Sequence, residues 1–358
     1  MCNSKRGLTL IELMVALFIL ALIVGATFTI YVSNLKIYKS EAKTAETQMS
    51  KILALELLRR DLVHAGFGLP WSHNPSHTLN INYQEATGEA ASYNDTPNKE
   101  PRAFHLGDDA KNNADYLVIK SIKVSENEAT RKWGLFTFDG TTGDLDPQGE
   151  GGNFTDHDYV IFIKAMDPNE RELYDDSGTW YWNESDYSSN PSHIPQNTLY
   201  LVYGVSRDQA PRMPFNRVDY YLDAPAGSLP DKCYEHTFLL YRATINHANG
   251  QRNPEPILDC VKDFQVAFGL DNDPDPEIDD WTSTLPSTPD EIRNQVKEVR
   301  VFILYQEGQR SDEVISTTTI TLGDNDTGTL STFTPAGEEQ HYRWKVLKIA
   351  VRPLNLGT

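Results

Sequence analysis

Cysteine is scarce, three among 358 residues. That excludes a disulfide-dense scaffold and any four-cysteine zinc site. GxxxxGK[ST], HExxH, GxSxG and a GxGxxG opening a helix are absent. Phosphate-cradling, zinc-protease and serine-hydrolase chemistry therefore have no residues to stand on. Positive charge is also short: 32 Lys and Arg face 51 Asp and Glu, a net charge of −19. A phosphate backbone meets repulsion over most of such a surface, so no nucleic acid is expected as a partner. Proline is missing from Met1 to Leu69, and Gly25 is the only glycine between Gly7 and Gly66. The remainder, 39% hydrophobic and 10% aromatic, is a globular composition with enough chain for a sizeable core.

What is present begins with an uncharged run, Leu13–Val32. As a helix, about twenty residues rise roughly 30 Å, the thickness of a bilayer's hydrocarbon core. A secretory signal has a shorter apolar core, about 7–15 residues, followed by small residues at its cleavage site. This run is longer and no A-x-A follows it, so it reads as a retained membrane helix. Glu12 stands at its edge. A carboxylate drawn toward the bilayer centre costs about 2.5–3.5 kcal/mol, so Glu12 either meets a partner or sits solvated among the headgroups. Just before it come Lys5-Arg6-Gly7, then Leu8, Thr9, Leu10 and Ile11.

That string resembles the type IV prepilin signal: a short basic leader, a Gly, an apolar or aromatic residue, T-L-I-E, then an apolar helix. Leu8 stands where many members carry Phe. The resemblance implies that a prepilin peptidase cuts between Gly7 and Leu8 and methylates the new amine of Leu8. It implies an inner-membrane anchor with the leader in the cytoplasm and the body in the periplasm, later in a filament near its tip. The assembly platform and other major and minor pilins would then be partners. Glu12 would pair with the amino end of a neighbouring subunit, because two charges costly alone in an apolar bundle become tolerable together.

Beyond the apolar run, Tyr38, Ala42, Ala45, Met49, Ile52 and Leu53 recur at steps of three and four. This amphipathic stripe predicts a sheet laid against one helix face. The helix is expected from Leu8 to about Ala65, a rod of about 87 Å. Its division is a leader 1–7, a membrane half 8–32, an amphipathic half 33–65 and a β-rich body 66–358. The body reads as loop from Trp71 to Ala114, with one short strand near Leu79–Tyr83. Strands follow at Tyr116–Val124, Trp133–Phe138, Tyr159–Ala165, Leu199–Val205, Val218–Leu222, Phe238–Ile245, Val261–Leu270, Val299–Tyr305, Val314–Leu322 and Tyr342–Val351. A short helix is predicted at Asp290–Val296, with Thr288 as N-cap and Pro289 at its first position. The fold class is α+β and pilin-like: a long N-terminal helix on antiparallel sheet, with large loop insertions.

Several strings in the body extend the resemblance. They are Leu57-Leu58-Arg59-Arg60-Asp61-Leu62 with Ala65-Gly66-Phe67-Gly68, then Arg217-Val218-Asp219-Tyr220-Tyr221, Leu240-Tyr241-Arg242, and Leu258 through Asp271. In order they look like PilW-type minor pilins, and they share features with GspJ-type minor pseudopilins of type II secretion. The chain departs at Val351-Arg352-Pro353-Leu354-Asn355, where PilW-type chains tend to finish Leu-Arg-Asn.

Four candidate sites compete with plainer readings. Asp271, Asp273, Asp275 and Asp279 offer oxygen ligands at alternate positions, as the start of a calcium loop does. Pro276 replaces the flexible glycine and no Glu closes the loop, so an acidic turn is the better reading, with structural Ca²⁺ and a modest stabilisation as the alternative. Cys233 and Cys260 are either a bridge, worth about 3 kcal/mol through loop entropy, or two buried thiols. His73 and His77 share i,i+4 spacing in a Pro-Asn-Ser loop unsuited to a metal. Trp180-Tyr181-Trp182 read as β core rather than as an exposed adhesive edge. The chain is thus expected to be a minor pilin without catalytic residues that primes or caps a filament. A pseudopilin, a tip adhesin using insertions between Trp71 and Pro230, and last a tethered enzyme are the alternatives.

Overall fold

The computed structural model describes residues 9–72, 76–95, 97–165, 171–189, 194–225, 227–273, 275 and 277–356, excepting the side chains at 36, 39, 40, 43, 44, 46–50, 188 and 189. Helix α1 runs Leu10–Val63 without a break, as an interval free of proline allows. His64 closes it, its N–H bonded back to the Arg60 and Leu62 carbonyls. Gly66 and Gly68 then take positive φ. A side chain on Gly68 would press to 2.5 Å from Ile122, so the turn needs glycine for space as well as for conformation.

Two strands follow, β1 (Phe104–Lys111) and β2 (Ala114–Ser121). The chain then leaves this hairpin to build β3 (Trp133–Phe138), β4 (Gly143–Pro147), β5 (Asp158–Lys164), α2 (Glu184–Ser189) and β6 (Tyr200–Arg207). It returns as β7 (Asn216–Asp223), β8 (Phe238–Ile245), β9 (Arg252–Leu270) and β10 (Asp280–Thr282). Helix α3 (Pro289–Gln295), β11 (Val296–Glu307), β12 (Ile320–Asp324), β13 (Gly328–Phe333) and β14 (Arg343–Val351) complete it.

The main antiparallel sheet has the order β1-β2-β7-β8-β9-β11-β14, with β10 on the end of β9. Residues 122–215 between β2 and β7 carry a second sheet, β4-β3-β6-β5. It has a separate aromatic core of Phe136, Phe162, Trp182, Tyr187 and Tyr200. One face of the main sheet turns Val218, Tyr220, Phe264, Val266, Val301 and Ile303 toward α1. On the other face Phe302, Leu304 and Trp344 are covered by the β12–β13 hairpin. The architecture is a long helix on a curled antiparallel sheet, an α+β pilin-like fold.

Four expectations are corrected. The stripe from Tyr38 to Leu53 does not lie on the sheet: Tyr38, Ala42, Ala45, Ile52 and Leu53 are exposed, and Met49 is outside the described side chains. Among the described side chains of α1, Ala54, Leu58 and Leu62 enter the core and Leu55 and Val63 pack against it, because the sheet meets the helix over its last turns. Leu79–Tyr83 buries Leu79, Ile81 and Tyr83 in alternation without strand pairing. Val314 and Ile315 are exposed; the backbone N–H groups of Ile315 and Ser316 bond to the Gln340 carbonyl instead, so β12 begins only at Ile320. β1, polar at His105, Asp108 and Asp109, is an edge strand that the loop reading missed.

Candidate functional site

Helix α1 carries two features of different kinds at its two ends. At the start, Thr9 is the N-cap: its N–H and its Oγ each donate to the Glu12 carboxylate at 2.9 Å. The Glu12 N–H returns to Thr9 Oγ at 3.4 Å. This reciprocal capping box satisfies donors that a helix start leaves open. From Leu10 to Leu35 the mean hydropathy is 2.7 and none of the stretch is buried in the body. Two of its hydroxyls bond back one turn, Thr27 to the Ile23 carbonyl at 2.7 Å and Thr29 to the Gly25 carbonyl at 3.0 Å. These two hydroxyls thus find partners without water, as a bilayer requires. Gly7 and Leu8 lie outside the described residues.

At the other end, Asp61 is fully buried. Its Oδ2 accepts from Arg242 Nε at 2.7 Å and from the Tyr220 hydroxyl at 2.8 Å. Arg242 also donates to the Val124 carbonyl at 2.6 Å. Burial lowers the proton affinity of the guanidinium, but Asp61 more than restores it and holds Arg242 above its ordinary range. Burial also raises the Tyr220 phenol far above its usual value, so it stays a donor. The last described residues brace the same place. Leu354 N–H bonds to the Val63 carbonyl at 3.0 Å, and Asn355 Nδ2 to the Ala65 carbonyl at 3.4 Å. A buried charge pair with a third donor is directional in a way that Leu58 and Leu62 are not, and it fixes the rotation and height of α1 on the sheet.

A second buried network ties residues 85–102 to the sheet. Lys120 Nζ lies 2.7 Å from Glu85 and 2.6 Å from Asp95. Arg217 reaches Glu85 at 3.3 Å and Asp219 at 2.7 Å. Arg102 and His105 both approach Asp95 Oδ1, at 2.8 and 2.9 Å. Three cations thus face three anions, with His105 as a neutral donor: burial, reinforced by Lys120 and Arg102, brings its pKa down to about 4. The chemistry of both networks is structural. They hold charge in fixed geometry and leave no nucleophile beside an open base.

Cys233 and Cys260 are joined as a disulfide with Cα atoms 5.0 Å apart. It pins the connection between β7 and β8 to β9. Asp271, Asp273 and Asp279 bring carboxylate oxygens together, whereas Asp275 stays outside that group. Their oxygens hold the turn: Asn272 N–H bonds to Asp279 at 2.6 Å, Asp273 N–H to Asp271 at 3.3 Å and Asp275 N–H to Asp273 at 3.0 Å. Lys297 also lies 3.2 Å from Asp271, supplying the positive charge a cation would bring. His73 is outside the described residues. His77 lies 3.1 Å from Glu100, whose other oxygen takes Arg293 at 2.8 Å. Trp180 and Trp182 are buried and Tyr181 half-buried, as the core reading had it.

Sequence reasoning gave Glu12 a role but quoted Asp61, Tyr220 and Arg242 only as parts of family-like strings, with no role and no link between them. The available signal was an acid between Leu58 and Leu62 on the face that enters the core. Comparison with protein families agrees with the geometry at both ends. The prokaryotic N-terminal methylation motif matches residues 2–28, which contain Glu12. The family of type IV pilus-assembly protein W matches residues 219–355, which contain Tyr220, Arg242 and the tail braced on α1. Neither match covers residues 29–218. Comparison with curated proteins and with solved structures finds no match. The chain is thus similar to prepilins over its first residues and to PilW-type minor pilins over residues 219–355, a likeness that points to a structural and membrane-associated role among pilus components.

Proposed function

We propose that the chain is a minor pilin that primes or caps a type IV filament by docking its stem among the stems of other pilins. Prepilin peptidase cuts after Gly7 and methylates Leu8, and Glu12 then receives the neighbouring subunit's amino end. The observation that carries this reading is the exposed apolar stem from Leu10 to Leu35 with a single carboxylate, Glu12, at its start. Such a surface needs lipid first and other helices afterwards, and in an apolar bundle that carboxylate selects where the next subunit stops. The body stays outside the membrane, with the assembly platform acting on the stem.

Mass spectrometry of the mature N-terminus tests the processing step. Methyl-Leu8 as first residue is expected, and an intact leader overturns the reading. A second role, as a binding module at the filament tip, is favoured by one observation. The inserted sheet has its own core and lies within the stretch that neither family match covers.

A further inference from the structure

We propose that the cleft between the root of α1 and the inserted sheet binds a carboxylated saccharide. The cleft has a volume of about 760 Å³, within the range of small-molecule sites. Arg60 and His64 line it from the end of α1, Lys123 and Arg131 from the segment that follows β2, and Trp133 from β3. On a chain of net charge −19, this wall gathers three permanent cations against Glu126 and Glu150. Two of those cations are engaged. Arg60 lies 3.3 Å from Asp61 and 3.4 Å from Glu126, and Lys123 stands 4.7 Å over the Phe67 ring. Arg131 is exposed, and its guanidinium makes no hydrogen bond or ion pair among the described residues. Its planar fork suits a carboxylate, which it can hold by two parallel hydrogen bonds.

Trp133 supplies the other half of the recognition. Its indole is half-buried and lies alongside Tyr203, with ring centroids 6.3 Å apart and planes 23° from parallel. A rigid indole at a cleft wall offers an apolar plane for the C–H face of a pyranose, with a polar edge beside it. Glu126 and Glu150 stand beside it with carboxylates suited to sugar hydroxyls, while Gln148 is held by Asp146 and Thr130 by the Ser125 and Asn127 carbonyls. The wall is built before any ligand arrives. Gln148 and Gly149 N–H both donate to the Trp133 carbonyl, at 2.9 and 3.1 Å. A side chain on Gly149 would come within 2.5 Å of the Arg131 carbonyl and 2.8 Å of the Trp133 nitrogen. Glycine there lets the loop close against the tryptophan. The inference stands whether or not the chain enters a filament, since no stem residue ahead of Arg60 takes part.

Isothermal titration calorimetry on the full chain, held in a sugar-free zwitterionic detergent, tests it with three probes. These are a galacturonate tetramer, a glucose tetramer and a glutamate tetrapeptide. The uronate should bind and the neutral tetramer should bind about tenfold more weakly, the loss of one charge-assisted pair. The peptide should give no heat. Arg131→Ala should weaken uronate binding about tenfold and leave the thermal midpoint unchanged, because the side chain is exposed. Trp133→Ala should abolish binding, with Trp133→Phe keeping part of it should the alanine variant fail to fold. No heat from the uronate at millimolar concentration, equal affinity in Arg131→Ala, or peptide binding as tight as uronate binding would each overturn the proposal.

Discussion

Glu12 and Asp61 are both acids on the same helix, and the chain treats them oppositely. Glu12 caps its own first turn through Thr9 and otherwise stands clear of the body. Asp61 is sealed beneath the sheet and shared by Arg242 and Tyr220. A carboxylate near a helix N-terminus is favoured by the helix dipole and by free N–H groups, so Glu12 can wait there as an anion. A carboxylate near the C-terminal end has no such support and opposes the dipole. Asp61 is stable only because the sheet brings a guanidinium and a phenol to it. One acid stays available to another molecule, and the other holds this molecule together.

The sharpest way to break that contrast is to remove each acid and ask what is lost. Glu12→Ala should spare membrane insertion and the body's melting temperature, yet cut recovery in filament fractions by an order of magnitude or more, about 1.4 kcal/mol for each tenfold. Thr9→Ala keeps the charge and loses only the cap, about 1 kcal/mol of local helix stability. Near-normal incorporation of this variant would separate the two roles of Glu12, whereas an equal defect would assign everything to capping. Asp61→Ala should act on the fold itself. It leaves Arg242 buried without its partner, a loss of about 3–5 kcal/mol read from denaturant melts. An unchanged midpoint would mean that the apolar face of α1 alone secures the root.

Smaller effects follow. Replacing Cys233 and Cys260 together with Ser should cost about 3 kcal/mol, seen equally as a drop in midpoint when the native chain is reduced. The pH profile holds two opposed contributions. His105 and His247 have pKa values lowered to about 4, both chiefly by burial. Their contribution is present above the ordinary histidine pKa, about 6.5, and is lost as pH falls through 4. Burial lifts Asp115 to about 7, even though the Asp109 and Val266 N–H groups donate to it. Its contribution is present below the ordinary aspartate range and is lost as pH rises through 7. Asp115→Asn should therefore steepen the climb of the thermal midpoint between about pH 4 and 6.5; an unaltered slope would show that Asp115 is ionised there already. Calcium should shift the midpoint least. Identical melts with calcium and with chelator would leave Asp271, Asp273 and Asp279 as the acidic turn that their backbone bonds already describe.

Much of the fold was legible because its signals are local. The uninterrupted helix followed from an interval without proline. α3 was marked by Thr288 and Pro289, and the structure adds Glu291 to complete a capping box with Thr288. The strand expected at Val299–Tyr305 is there, within β11. The stripe from Tyr38 to Leu53 misled for a physical reason. Helical periodicity reports that a face is apolar, and it does not say whether the cover is the chain's own sheet or another molecule. β1 was missed because an edge strand can be polar when its backbone alone joins the sheet.

The sequence by itself determined an apolar helix too long for a signal peptide, a lone acid at its start and a strand-rich body, since each depends only on neighbours within a few residues along the chain. The tertiary structure alone decided that Asp61 meets Arg242 across 181 positions. It also decided that Ile52 and Leu53 face away from the sheet while Ala54 enters the core, and that an inserted sheet shares a cleft with the helix root. Those outcomes turn on which strands lie side by side, and burial converts a chance charge into a lock only after the sheet has closed over it.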